Sequence, residues 1–214
     1  MPPRNLALPA HPDVSIEAEE TVWRGRAPLQ LITFRHRRFD GALSPARTWE
    51  VWRRGPAAAV LPYDPASDRV VLIEQFRLPA LAAGVPPVMV EIPAGLLDAG
   101  EDPAETVRRE AVEEMGLPVD RLHRVGAFVL APGGCDECIT VFVGRVQAPE
   151  PGPGGLVGHA GLASEGEDIR VRVMPAAEAV EAALAGQYPN SVTTLGLMWL
   201  ASRREWLREH WGTP

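Results

Sequence analysis

The sequence predicts an α+β chain: a mixed β-sheet flanked by helices, with a β-rich extension at the N-terminus. Three observations predict it. Runs rich in β-branched and aromatic residues fill the N-terminal quarter and recur as far as Met174, a strongly patterned helical segment over 103–115 interrupts them, and two further helical patterns close the chain.

The N-terminal strands are expected at Thr21–Arg24, Leu29–His36 and Arg47–Arg53, where partial alternation accompanies the β-forming residues. A hairpin follows, Ala58–Tyr63 with Arg69–Arg77, joined by DPASD, whose Asp and Pro suit a turn. A strand over Val88–Ile92 leads into the helix at 103–115. Two more strands, Leu122–Leu130 and Ile139–Val146, precede a Gly/Pro-rich stretch from Ala148 to Gly161, expected as a solvated, mobile loop. Ile169–Met174 is the last strand. Helices are expected over Ala176–Leu184 and Val192–His210, the latter with an apolar stripe through Leu195, Met198, Trp199, Ser202 and Trp206. No internal repeat occurs at a fixed period.

The most informative segment is GLLDAGEDPAETVRREAVEEMGL, from Gly95 to Leu117. Pro103 suits the first helical turn, Glu101 and Asp102 suit the positive end of the helix dipole, and Gly116 suits the C-terminal stop. On the helix, Ala104, Val107, Ala111 and Met115 form one stripe facing the core, and Glu110, Glu113 and Glu114 form a neighbouring arc. Like charges at these spacings destabilise a helix by roughly 0.2–0.5 kcal/mol per pair, and anions near its C-terminal end also oppose the dipole. A bound divalent cation reverses that cost, since hard cations take carboxylate and carbonyl oxygens. A solvated acidic face is the bland alternative. It leaves Gly95, Glu101 and Arg109 at their offsets unexplained, and Arg109 is expected to hold the glutamates in place by pairing with one of them.

Composition bounds the rest. At 214 residues the chain is long enough for one domain with a small extension. A formal charge of −7 argues against broad binding to nucleic acid or anionic membrane, so an anionic substrate has to be held locally by metal and arginines. The first residues, MPPRNLALPAHPD, contain no long apolar run, and no stretch approaches membrane-spanning length, which leads to the expectation of a cytoplasmic protein. The two cysteines, Cys135 and Cys138, form a CxxC followed by a β-rich run rather than a helix, and there is no second pair to complete a zinc site. They read as small side chains in a turn. Of the six tryptophans, Trp23, Trp49 and Trp52 are expected at an interface, and Trp199, Trp206 and Trp211 in the last helix as core or interface. The run Arg35–Arg38 lacks interleaved aromatics and reads as a charged strand face.

Gly95, Glu101, Arg109, Glu110, Ala111, Glu113, Glu114, Gly116 and Leu117 stand at the nine specified positions of the Nudix box, and on these residues the chain resembles a Nudix hydrolase. The phrases VVLIEQFR, LAPGGCDECITVFVG and GLASEGEDIRVRVMP, with Pro132 fifteen residues after Leu117, resemble bacterial ADP-ribose pyrophosphatases. The resemblance implies a Nudix fold and residues 1–55 as an N-terminal segment exchanged between the subunits of a homodimer, followed by a catalytic domain over 56–214. It also implies metal ligation by the Ala94 carbonyl, Glu110 and Glu114 with help from Glu101 and Glu113, and Gly95, Arg109 and Gly116 as structural members of the box. Arg77, Pro132 and Glu137 are implied to contact substrate, joined by Trp49 or Glu50 from the second subunit. A mobile-loop glutamate, Glu165 or Glu167, is implied as general base.

These parts imply hydrolysis of the diphosphate of ADP-ribose to AMP and ribose 5-phosphate, with Mg²⁺ as cofactor and Mn²⁺ or another divalent cation as a substitute. GDP-mannose hydrolases share a similar acidic loop, so that or another nucleoside diphosphate sugar is the alternative. A non-catalytic nucleotide-sugar sensor is disfavoured by the intact box. An RNA-end hydrolase is disfavoured by the net negative charge.

Overall fold

A computed structural model of the chain describes residues 6–212. It divides into two compact units: the segment up to Pro56 together with Val129–Ile139, and Ala57–Phe128 together with the chain from Thr140 onward.

In the first unit, β1 (Val14–Trp23), β2 (Leu29–His36) and β3 (Arg47–Trp52) form an antiparallel sheet with β2 in the middle. β1 starts at Val14 rather than at the expected Thr21. The added residues, VSIEAEE, are poor strand formers by composition, and the ladder to β2 makes them a strand. Trp23, Trp49 and Trp52 are 64%, 50% and 44% exposed. The segment 129–139 is tied to β3 through the backbone: the Trp52 N–H donates to the Gly134 carbonyl (2.8 Å), and the Asp136 N–H to the Trp52 carbonyl (3.2 Å). Buried Arg53 adds side-chain bonds to the Asp136 carboxylate (2.6 Å) and to Gln30. Cys135 and Cys138 are free thiols in this turn and at the start of the following strand.

The second unit is built on an eight-stranded mixed sheet. Its strands are β4 (Pro56–Asp64), β5 (Arg69–Phe76), β6 (Val88–Glu91), β7 (Ala94–Leu96), β8 (Arg121–Val129), β9 (Cys138–Arg145), β10 (Leu156–Ala160) and β11 (Ile169–Pro175). The order is β10-β11-β5-β4-β9-β8, with β6 on β5 and β7 on β4. β4 and β5 pair only beside their turn, at Tyr63–Val70 and Asp64–Arg69. Beyond that they splay. β6 takes the freed edge of β5 over Ile73–Phe76, and β7 pairs with Ala57–Ala59 of β4. The wedge thus opened carries the chain from Glu91 to Gly95 into the middle of the sheet.

Helix α2 (Pro103–Met115) covers one face of this sheet. Val107, Ala111 and Met115 bury there against Val60, Val71, Ile73, Val171 and Val173. The expected stripe is thereby present, with Ala104 packed at its margin. β4 is buried along nearly its whole length because both faces are covered. On the other face α4 (Ser191–Trp211) brings Gly196 against Leu61 and Ile92, and α3 (Ala176–Leu184) packs beside it.

Three further expectations require correction. The stretch Ala148–Gly161 is not a loop throughout: β10 lies inside it and pairs with β11, because the open edge of β11 supplies a ladder that a glycine-rich sequence does not advertise. A short helix, α1 (Leu78–Ala82), follows β5, and Arg77 is its N-cap rather than the end of the strand. In α4 the buried stripe is Val192, Thr193, Gly196, Leu197, Leu200, Leu207 and Trp211. The arc through Leu195, Met198, Trp199, Ser202 and Trp206 is its flank, with Met198 49% and Trp206 40% exposed and both Trp199 and Trp206 against His123 of β8. Helical spacing allows either arc, and the close approach of Gly196 to Leu61 and Ile92 turns the neighbouring one inward.

The two arcs are separable by mutation. Leu197→Ala should cost roughly 2–5 kcal/mol in urea unfolding, as buried leucine truncations do, whereas Met198→Ala should stay within about 0.5 kcal/mol, as exposed positions do.

Candidate active site

The site grows from the N-terminal end of α2 and the strand that precedes it. Asp102 caps the helix, accepting from the Ala104 N–H (2.7 Å), and Pro103 occupies the first turn. Gly116 ends it in the left-handed region at φ 70°, where a side chain is strained. Between those ends the arginine and glutamates of the box face the turn from Ala94 to Glu101.

Arg109 holds three carboxylates rather than the one expected. Its Nη1 donates to Glu110 (2.7 Å) and Glu113 (2.9 Å), and its Nε and Nη2 donate to the two oxygens of Glu101 (3.2 and 3.3 Å). The guanidinium holds the Glu101 carboxyl down at about 2, and the Asp98 N–H adds a bond to the same group. Gly95 is explained by sterics. A Cβ there would lie 1.7 Å from Glu110 Oε1, so only glycine lets this carboxylate rest against the backbone.

Glu114 is 2% exposed, and burial pushes its carboxyl up to about 8. It accepts from the Ala94 N–H (2.9 Å), the backbone group next to the carbonyl implied as a ligand. Burial also raises Glu110. Two carboxylates largely withdrawn from water beside a backbone turn are costly as anions, a cost Arg109 offsets in part at Glu110 and a cation would relieve at both. Among the described residues no three His, Cys, Asp or Glu side chains are grouped to hold an ion as they stand. The reason is visible in the bonds: Glu110 and Glu113 are turned to Arg109, and Glu114 to Ala94. The donor set suits a hard divalent cation once Glu110 leaves the guanidinium.

Two further parts reach this cluster. Arg77 is gripped by Glu91, whose Oε2 accepts from Nε (2.9 Å) and Nη2 (2.8 Å), and it lies within the field of Glu114 and Glu167. The loop after β10 is fixed to α2 by the Gly161 N–H donating to the Glu113 carbonyl (3.0 Å). Glu167 accepts from the Leu162 N–H (3.0 Å) and is close enough to raise both Glu110 and Glu114. Glu165 ends the 3₁₀ turn Ala163–Glu165, and its side chain lies outside the described part of the structure.

The remaining expected residues belong to the first unit. Trp49 and Glu50 lie on β3, both exposed, with Trp49 edge-on to Phe34 at 5.2 Å. Pro132 is exposed in a turn, and Glu137 accepts from Arg54 Nε (3.0 Å). The second unit therefore brings together Arg77, Ala94, Gly95, Glu101, Arg109, Glu110, Glu113, Glu114 and Glu167. Sequence reading missed Glu91 and Asn190, which meet at 2.9 Å. A glutamate in an otherwise apolar strand, VMVEIPAG, was the available signal for the first.

A NUDIX domain model matches residues 53–195. The chain is 40% identical over 199 residues to an ADP-ribose pyrophosphatase of Escherichia coli (strain K12), covering 93% of each. It is 34% identical over 202 residues to an ADP-ribose pyrophosphatase of Haemophilus influenzae, covering 93% and 91%. It is 36% identical over 177 residues to a GDP-mannose pyrophosphatase of Cronobacter sakazakii, covering 82% and 88%. Among solved structures, an ADP compounds hydrolase shares the fold at a TM-score of 0.66 and 21% identity, over 96% of this chain and 100% of that one.

The raised carboxyl of Glu114 makes a prediction for metal-free protein. A group raised in the folded state stabilises fully below its ordinary value of 4.5, and that contribution is lost as pH rises through about 8. Glu114→Gln should therefore raise Tm at pH 8 by at least ~2–4 °C, the shift of about 1 kcal/mol in a domain of this size, and change it little at pH 5. Calorimetry in chelator checks this, and an unchanged Tm at pH 8 contradicts it.

Proposed function

The chain belongs to the Nudix family, and we propose that it hydrolyses the diphosphate bond of ADP-ribose, giving AMP and ribose 5-phosphate. It is a pyrophosphohydrolase that depends on a divalent cation; magnesium fits the all-oxygen donor set, with manganese as a substitute. The observation that carries the hydrolysis is the convergence of Glu110 and buried Glu114 on the Ala94–Gly95 backbone. The substrate rests on the 40% identity to an ADP-ribose pyrophosphatase along 93% of the chain.

Glu110, Glu114 and the Ala94 carbonyl would hold the cation, with Glu101 and Glu113 assisting. When bound, it neutralises the diphosphate and activates a water for attack at phosphorus. Arg77 offers its remaining N–H groups to the diphosphate, a geometry that guanidinium suits better than ammonium. Glu165 or Glu167 takes the proton from the attacking water. Gly95 and Arg109 keep the carboxylates in place, and Gly116 ends the helix that displays them. The 36% identity to a GDP-mannose pyrophosphatase favours a nucleoside diphosphate sugar of that kind as the second reading. A panel of such sugars, with and without divalent cation in ¹⁸O water, tests both readings. Cation-dependent AMP from ADP-ribose with the highest kcat/KM supports the first; preference for GDP-mannose replaces it; no nucleotide release with any sugar rejects hydrolysis.

The assembly we propose is a homodimer through the first unit. Val14, Ile16, Val22, Trp23, Trp49 and Trp52 are all exposed there, and a three-stranded sheet with so much apolar surface open to water needs a partner. Trp49 or Glu50 of one subunit would then approach the nucleotide held by the other, with Pro132 and Glu137 as further substrate contacts. No nucleic-acid or membrane partner fits the net charge of −7, and among the described residues no helix is long and apolar enough to cross a membrane. The cytoplasm suits the nucleotide substrate and the free thiols of Cys135 and Cys138.

Glu165→Gln or Glu167→Gln should lower kcat by roughly 10²–10⁴-fold, the usual worth of a general base, with a much smaller change in KM. Two variants of near-normal kcat would remove the base from this loop. Light scattering of the full chain at micromolar concentration should give twice the chain mass. Deletion of residues 1–55 should yield monomeric or insoluble protein that no longer binds ADP-ribose; a fully active monomer of the complete chain contradicts the dimer.

A further inference from the structure

Glu91 is 6% exposed and stands in an apolar strand, which calls for a use of its charge. Both of its oxygens are engaged. Oε2 accepts the pair of bonds from Arg77, and Oε1 accepts from Asn190 Nδ2 (2.9 Å). Asn190 is in turn fixed at its other end. Its Oδ1 caps α4, accepting from the Val192 and Thr193 N–H groups (3.0 and 2.9 Å). Thr193, fully buried, closes the arrangement by accepting from the Ile92 N–H through Oγ1 (3.2 Å). The N-cap and first turn of α4 thus grip Glu91 and Ile92, one residue short of Ala94.

Arg77 sits where a strand ends and a helix begins, its N–H on the Pro87 carbonyl (2.7 Å) and its side chain about 40% exposed. A guanidinium has five N–H donors. Glu91 occupies one edge of it, which leaves the outer donors on Nη1 and Nη2 turned away from the buried carboxylate.

We propose that Glu91 and Asn190 are positioning residues for substrate binding: the N-cap of α4 fixes Glu91, and Glu91 aims the Arg77 guanidinium at the diphosphate. The inference rests on the role given to Arg77 above. A purely structural role, charge neutralisation by Glu91 and capping by Asn190, makes different predictions for two variants. Asn190→Asp retains an equally good N-cap, but it sets a second carboxylate against Glu91 in place of the donor, so it pushes Glu91 off its position without uncapping the helix. Glu91→Gln keeps an acceptor for Asn190 and weakens the grip on Arg77.

The experiment is steady-state hydrolysis of ADP-ribose by Asn190→Asp, Glu91→Gln, Arg77→Ala and the double variant Arg77→Ala/Glu91→Gln, each with Tm and far-ultraviolet circular dichroism. Asn190→Asp should keep the helical signal of the folded chain and raise KM about tenfold, the loss of one hydrogen bond to a charged group, with kcat within about twofold. Glu91→Gln should raise KM likewise, and its loss should not add to that of Arg77→Ala, because both act through one guanidinium. An unchanged KM in Asn190→Asp and Glu91→Gln beside a crippled Arg77→Ala overturns this inference alone. Additive losses overturn it too. An unchanged KM in Arg77→Ala overturns the role of Arg77 itself, and this inference with it.

Discussion

The grip of one guanidinium on three carboxylates is the interaction on which the site depends. Glu101, Glu110 and Glu113 would repel one another around a helix whose dipole already disfavours anions at its C-terminal end. Arg109 bonds to all three and ties the turn before α2 to the helix itself. Gly95 is the complementary constraint, since any larger residue would displace Glu110 from the backbone. The folded chain can therefore carry its negative charge before any cation arrives. The same bonds mean that Glu110 must exchange a partner to meet one.

A second constraint is topological. Because β4 and β5 share only two pairs beside their turn, the sheet is split, and β6 and β7 fill the split from opposite sides. That delivers Ala94 and Gly95 opposite Ala59 and Ala58, and of these two alanines Ala58 faces the core beneath α2. Two faces of the sheet then do different work: α2 displays the carboxylates on one, and the N-terminus of α4 clamps Glu91 and Ile92 from the other.

Much of this was legible in the sequence because the box is local. Its cap, its stop, its core stripe and its acidic arc all lie within twenty-three residues from Gly95 to Leu117, and local spacing fixes which side chains share a face. Longer-range features were not legible. β10 hid in a glycine-rich stretch because its strand character is supplied by β11, and the first part of β1 because it is supplied by β2. In α4 two adjacent arcs were both apolar, and only the approach of Gly196 to Leu61 and Ile92 decides between them. Glu91 and Asn190 stand ninety-nine residues apart, so no periodicity relates them.

The site has a rigid half and a yielding half. Ala94, Glu114, Glu91 and Arg77 are fixed by strand pairing, burial and the clamp from α4, so these members of the proposed cation and diphosphate sites are in place in advance, whereas Glu110 has first to leave Arg109. Glu167 differs. Its carboxylate is held by one bond to the Leu162 N–H, within its own loop, and the loop meets α2 through the Gly161 N–H. A carboxylate bound only to its own turn can change partners without disturbing the core. That division suits a reaction in which charge must be met by fixed groups while a proton is taken by a group that moves with the substrate. It also accounts for a loop rich in glycine and acidic residues bordering so heavily constrained a sheet: the proposed base, Glu167, can adjust without disturbing the strands around Ala94.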